Sequence, residues 1–107
     1  MEINLLVLRC KELETSKQFY ESLGFTFVKE KHGGGPLHYS SRDAGFVFEL
    51  YPLAENEAVD NARVGFSVKH IPQVLSQVAT ESQHEFNGKQ VYIVRDPDGR
   101  KVELSEQ

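Results

Sequence analysis

Phe46-Val47-Phe48-Glu49-Leu50-Tyr51 and Lys101-Val102-Glu103-Leu104 are the two stretches that decide how this chain folds. Each is an apolar run broken by one glutamate. Each follows a glycine turn, Asp43-Ala44-Gly45 in the first case and Asp96-Pro97-Asp98-Gly99 in the second. The turn glycines Gly45 and Gly99 are 54 residues apart, and so are Glu49 and Glu103, so the ends of the two halves superpose without a gap. Side chains alternate across a strand, so Phe48 and Leu50, like Val102 and Leu104, point to one side and need a core to cover them. Glu49 and Glu103 then take equivalent positions on the opposite face.

Working backward from the first of these stretches, residues 3–10 read as a strand and residues 15–23 as a short helix, with Thr15 and Gln18 at capping-box spacing and Gly24 as its stop. Residues 25–29, 37–41 and 46–51 read as three further strands, with a glycine-rich loop at 31–36. The order is βαβββ. An acidic, aperiodic segment, residues 52–61, reads as a surface connection, after which the pattern restarts. Residues 63–68 alternate as a strand, and Ile71, Val74, Leu75 and Val78 repeat at helical spacing behind Pro72. Strands at 90–95 and 101–104 flank the Asp96–Gly99 turn. Only about ten residues separate the second helix from that hairpin, so the second strand of the repeat is expected to be short or absent. The expected class is α+β: one domain over residues 1–107, built from a module at about 1–54 and a truncated one at about 62–107.

With 107 residues, 39% hydrophobic and 26% charged, the composition is that of a folded domain. Seven Phe and four Tyr can fill a small core. Cys10 is the single cysteine, which rules out an internal disulfide or a cysteine zinc knuckle. Sixteen acidic residues outweigh twelve scattered basic ones, which argues against a nucleic-acid partner. No run of about 18 apolar residues is present to span a bilayer, and Met1-Glu2-Ile3-Asn4 lacks a basic, signal-like start. A cytoplasmic location with no membrane partner is the expectation.

Strand parity selects the candidate site. Tyr51 shares a face with Glu49, and Arg9 shares one with Leu5 and Val7. His32 and His38 bracket Gly33-Gly34-Gly35-Pro36, and Tyr39 follows. That loop could close over a ligand, with His38 as an acid–base group or metal ligand and Tyr39 as a polar wall. It could equally be a plain turn flanked by solvated histidines. It is not a phosphate loop, because Pro36 has no N–H and a strand follows where phosphate binding needs a helix. Cys10 has the parity of Leu6 and Leu8, and Phe19, Tyr20 and Leu23 form a stripe, so these read as packing residues. His70 and His84 read as solvated, and Asp96, Pro97 and Asp98 as turn formers.

The duplicated βαβββ pattern, the segment Leu13-Glu-Thr-Ser-Lys-Gln-Phe-Tyr-Glu-Ser-Leu-Gly-Phe25, and the segment Asp96-Pro-Asp-Gly-Arg-Lys-Val-Glu-Leu104 resemble the vicinal oxygen chelate superfamily. That group includes glyoxalase I, extradiol dioxygenases, and the bleomycin and fosfomycin resistance proteins. The resemblance implies a curled mixed sheet around a small-molecule cavity, and commonly a homodimer in which modules pair across chains. It also implies, in metal-dependent members, a divalent ion held by the first and last strands of each module. Those positions here are Leu5, Glu49, Arg63 and Glu103. Leu5 has no donor atom and Arg63 cannot shed its proton, so two of the four cannot be ligands.

Two functions follow from that departure. In the first, Arg63, Arg9, His38, Tyr39 and Tyr51 line a metal-free or metal-poor pocket for a polar organic molecule, with Arg63 supplying the ion's charge to Glu49 or Glu103. In the second, Glu49 or Glu103 is the catalytic base of a glyoxalase-like lyase or isomerase. A variant of the second rebuilds a divalent-metal site from Glu49, Glu103 and His38. An internal salt bridge with no catalytic role is the bland account of Arg63.

Overall fold

A computed structural model describes residues 1–107. Ten elements follow in chain order: β1 (Leu5–Cys10), α1 (Leu13–Ser22), β2 (Val28–Glu30), β3 (His38–Ser41), β4 (Val47–Pro52), β5 (Val64–Val68), α2 (Ile71–Leu75), β6 (Ser82–Phe86), β7 (Lys89–Arg95) and β8 (Lys101–Glu106). They make two four-stranded mixed sheets, β1-β4-β3-β2 and β5-β8-β7-β6, with the same strand order. In each, the outer strand of the module runs parallel to the last one, β1 with β4 and β5 with β8, and the remaining pairs are antiparallel. This is the duplicated α+β architecture that the repeat predicts.

The second module is shortened in its helix, not in its sheet. α2 has five residues against ten in α1, whereas β6 has five residues and β2 has three. A polar stretch with no buried position, Ser82–Phe86, still pairs along its length with β7 because an edge strand needs only one bonded side. Its polarity is why the sequence pattern does not reveal it.

The first helix also begins earlier than the capping pattern predicts. Glu12 is the N-cap residue and no side chain caps the first turn, so Thr15 lies inside the helix. The C-terminus behaves as read: Gly24, at φ +118°, donates its N–H to Glu21, and Phe25 donates to Tyr20. That pair of bonds is a Schellman motif, for which an L side chain at Gly24 would be strained.

Both modules share one core. Tyr20 from α1 and Phe48 from β4 pack edge to face at 5.0 Å, Phe25 joins Phe48 at 4.8 Å, and Phe66 from β5 reaches Phe25 at 5.1 Å. Each such ring contact adds about 0.5–1.5 kcal/mol to the burial itself. A polar clasp lies beside it. Arg100, fully buried, donates to Asp96, to Asp60 and to the carbonyl of Arg9, while the Tyr20 hydroxyl donates to Asp96 and the Lys11 N–H to Asp98. The Asp96–Gly99 segment is the expected turn, closed by Gly99 N–H to Asp96, and it also ties the second module to β1 and α1 of the first. Burial raises the pKa of Tyr20, and the neighbouring Asp96 adds to that shift.

Candidate functional site

The helix-free face of the first sheet carries a cluster of polar side chains. In β3, His38 and Ser40 alternate with Tyr39 and Ser41, and the register pairs Ser40 with Glu49 and Tyr39 with Leu50. His38 therefore points to the same side as Glu49 and Tyr51. Its ring is 1% exposed and lies parallel to that of Tyr51, with centroids 4.2 Å apart. His38 Nδ1 is 3.2 Å from the Pro36 carbonyl, which can only accept, so Nδ1 is the donor in that bond. Nε2 is left 3.4 Å from Glu30 Oε1 and 3.8 Å from Glu49 Oε2. Arg9 caps the other side of Tyr51, its guanidinium carbon 4.8 Å from the ring centre. Ser40 Oγ, opposite Glu49, is buried without a partner.

Glu30 belongs to this cluster and is missed by sequence reasoning, which names His32 only as a bracket of the glycine loop. The predicted strand ends at residue 29, whereas β2 runs to Glu30 and pairs it directly with His38. Extending β2 by one residue was the available signal, since antiparallel pairing then places Glu30 across from His38. Arg42 binds Glu30 Oε2 at 2.9 Å and holds the carboxyl below the usual range, with His32 and His38 contributing.

The second sheet presents a simpler arrangement. Arg63, just before β5, donates from Nε to Glu103 Oε2 at 3.0 Å, and both side chains are substantially exposed. Glu103 sits beside Gly65 as Glu49 sits beside Val7, so the symmetry expected of the two carboxylates holds. Arg63 thus pairs with one of its two expected partners, Glu103.

The structure separates residues that sequence reasoning grouped together. No ion pair or hydrogen bond joins Glu49 to Glu103 or Arg63. The two sheets are bonded only within themselves, so each carries half of the anticipated site and Leu5, Val7 and Arg9 remain open to solvent. Glu103 is accordingly not assembled with His38 and Glu49 in the single chain. Tyr39 is on the wrong face for a cavity wall: it is buried on the helix side and its hydroxyl donates to Glu14 of α1. That bond, with burial and the Glu14 charge, pushes its pKa up to about 12. A cavity of about 730 Å³ lies elsewhere, between the end of α1 and the β5–α2 corner, with Phe25, Phe66, Lys69 and His70 among its walls. Cys10 is a buried packing thiol whose pKa burial raises.

Two sheets of identical strand order, each presenting a glutamate from its last strand on the helix-free face, define a paired-module protein of the glyoxalase type. Residues 2–78 match the Glyoxalase/Bleomycin resistance protein/Dioxygenase superfamily, and the chain belongs to it. Three solved structures illustrate the likeness. An integron cassette protein from the mobile metagenome of V. cholerae is 23% identical, with a TM-score of 0.73 over 99% of this chain and 94% of that one. A glyoxalase family protein from Enterococcus faecalis is 25% identical, with a TM-score of 0.71 over 98% and 97%. TnmS3, an antibiotic binding protein from Streptomyces sp. CB03234, is 16% identical, with a TM-score of 0.77 over 99% and 95%. No curated protein matches. No helix is long and apolar enough to cross a membrane.

Members of this superfamily often hold a divalent ion. The residues at the corresponding positions do not fit one here. Leu5 offers no donor, and Arg63 cannot shed its proton to become a ligand, so two of the four positions are without one.

Proposed function

We propose that the chain binds a small polar organic molecule on its helix-free sheet faces, with arginine in place of the superfamily's metal. The observation that carries this reading is the Arg63–Glu103 pair, which puts a fixed positive charge where a metal-dependent relative needs a ligand. Arg9 stacked on Tyr51 provides a second cation and a flat apolar surface. That combination suits an anionic or aromatic ligand, such as an aryl carboxylate. We further propose that two copies pair, so that the open face of one module is covered by the other chain; exposed Leu5 and Val7 give that contact an apolar component. A cytoplasmic location accords with this reading.

A second reading, a lyase or isomerase with Glu49 as general base, is favoured by one observation. His38 Nε2 lies 3.8 Å from Glu49, close enough to share in a proton transfer through a small shift. Glu103 is instead held by Arg63.

The test combines sedimentation with thermal melting against benzoate, phthalate and salicylate. A dimer that is stabilised by an aryl carboxylate, with the stabilisation lost in both Arg9→Ala and Arg63→Ala, is expected. A monomer, or stabilisation unchanged in those variants, overturns the reading.

A further inference from the structure

We propose that Glu30, His32 and His38 form a divalent-cation site within the first module, of the chemistry that takes zinc, apart from the Leu5, Glu49, Arg63 and Glu103 positions. One ligand atom from each of these three side chains lies within 4.8 Å of the other two. Two imidazole nitrogens and a carboxylate oxygen are a recurrent zinc set, with a fourth position left for water or a ligand. Zinc bonds of about 2.0–2.1 Å at tetrahedral angles put neighbouring ligand atoms about 3.3 Å apart. Glu30 Oε1 is already 3.4 Å from His38 Nε2 and 3.7 Å from His32 Nε2. Closing the site requires His32 to move by roughly 1 Å, and His32, with a side chain 69% exposed, is free to do so.

The surroundings prepare the two inner ligands. The Pro36 carbonyl accepts a hydrogen bond from His38 Nδ1, which leaves Nε2 as the nitrogen turned toward Glu30; this is the usual outer-shell arrangement of a metal-bound histidine. Tyr51 Oη is 3.4 Å from Nε2, but the rings are stacked within 8° of parallel, so the hydroxyl approaches from above the imidazole rather than along its in-plane lone pair. Arg42 binds Glu30 Oε2 and turns Oε1 toward the histidines. Oε1 is buried and has no hydrogen-bond partner. His38 Nε2 and a carboxylate oxygen therefore face one another across 3.4 Å, a gap that a cation between them would close. A proton on Nε2 is the competing occupant. Glu49, 3.8 Å from Nε2, adds negative charge that offsets Arg42. The site does not depend on the organic ligand proposed above.

The experiment uses the full chain, stripped with a chelator and titrated with Zn²⁺ against a chromophoric competitor. Cobalt absorption serves as a second readout. One zinc per chain is expected, with affinity reduced about ten- to a hundredfold in His32→Ala and in Glu30→Gln. His84→Ala, which alters a solvated histidine on β6, is expected to bind as the parent does. His32 is exposed, so its removal is not expected to change the melting temperature of the zinc-free chain, and this separates a lost ligand from a lost fold. Failure of zinc to compete at micromolar concentration would mean that a proton alone occupies the gap. Equal affinity in His32→Ala and the parent, or loss of binding in His84→Ala, would place any bound zinc elsewhere. Each of these results overturns the proposal.

Discussion

Replacing Arg100 with methionine removes the one cation shared by Asp60, Asp96 and Asp98 while roughly keeping the side-chain volume, so the variant isolates charge from cavity formation. Both members of the Arg100–Asp96 pair have fully buried side chains. Breaking a buried pair by removing one partner costs about 3–5 kcal/mol, because the remaining charge stays desolvated. Asp96 keeps three donors, the N–H groups of Asp98 and residue 100 and the Tyr20 hydroxyl, which places the expected loss near the lower bound, about 3 kcal/mol. For a chain of this size each kcal/mol moves the melting temperature by roughly 4 °C, so a drop of about 12 °C is expected by circular dichroism. Urea unfolding gives the same quantity independently. Adding Asp96→Asn to the methionine variant removes the stranded charge and is expected to restore part of the loss. A loss below about 1 kcal/mol, or no recovery in the double variant, would refute the view that this clasp joins the modules energetically.

Asp60 should govern part of the acid response. Its bond to Arg100 lowers its pKa from 3.8 to about 2, so the stability it contributes is present above pH 3.8 and lost as pH falls toward 2; Asp60→Asn should flatten the unfolding curve across that window. Tyr39→Phe should cost about 1 kcal/mol in urea unfolding through the lost bond to Glu14, and should leave aryl carboxylate binding unchanged. Arg63→Ala should alter stability by less than about 0.5 kcal/mol, since the pair is exposed, so an effect on ligand binding in that variant reports on the site.

Much of the architecture was legible because it depends on patterns that a linear chain carries. The 54-residue repeat of glycine turn and apolar-Glu-Leu strand gave the duplication, and period-2 alternation assigned Glu49, Glu103, Arg9 and Tyr51 to the helix-free faces. β6 stayed hidden because an exposed edge strand needs no apolar alternation. The direction of Tyr39 was also readable in principle. It alternates with His38, so the two could not both line one face.

Which carboxylate meets which cation was decided only by tertiary structure. Arg63 could have reached Glu49 or Glu103, and the separation of the two sheets leaves it with Glu103 alone. The Arg100 clasp joins groups as far apart in sequence as Arg9 and Arg100, and Glu30 meets His38 only through a β2–β3 register with one more residue than its pattern shows. Alternation along a strand fixes the face a side chain takes, because it is a local geometric property. Distances between faces depend on how strands and sheets dock, and that follows from burial of Phe25, Phe48 and Phe66 in a common core.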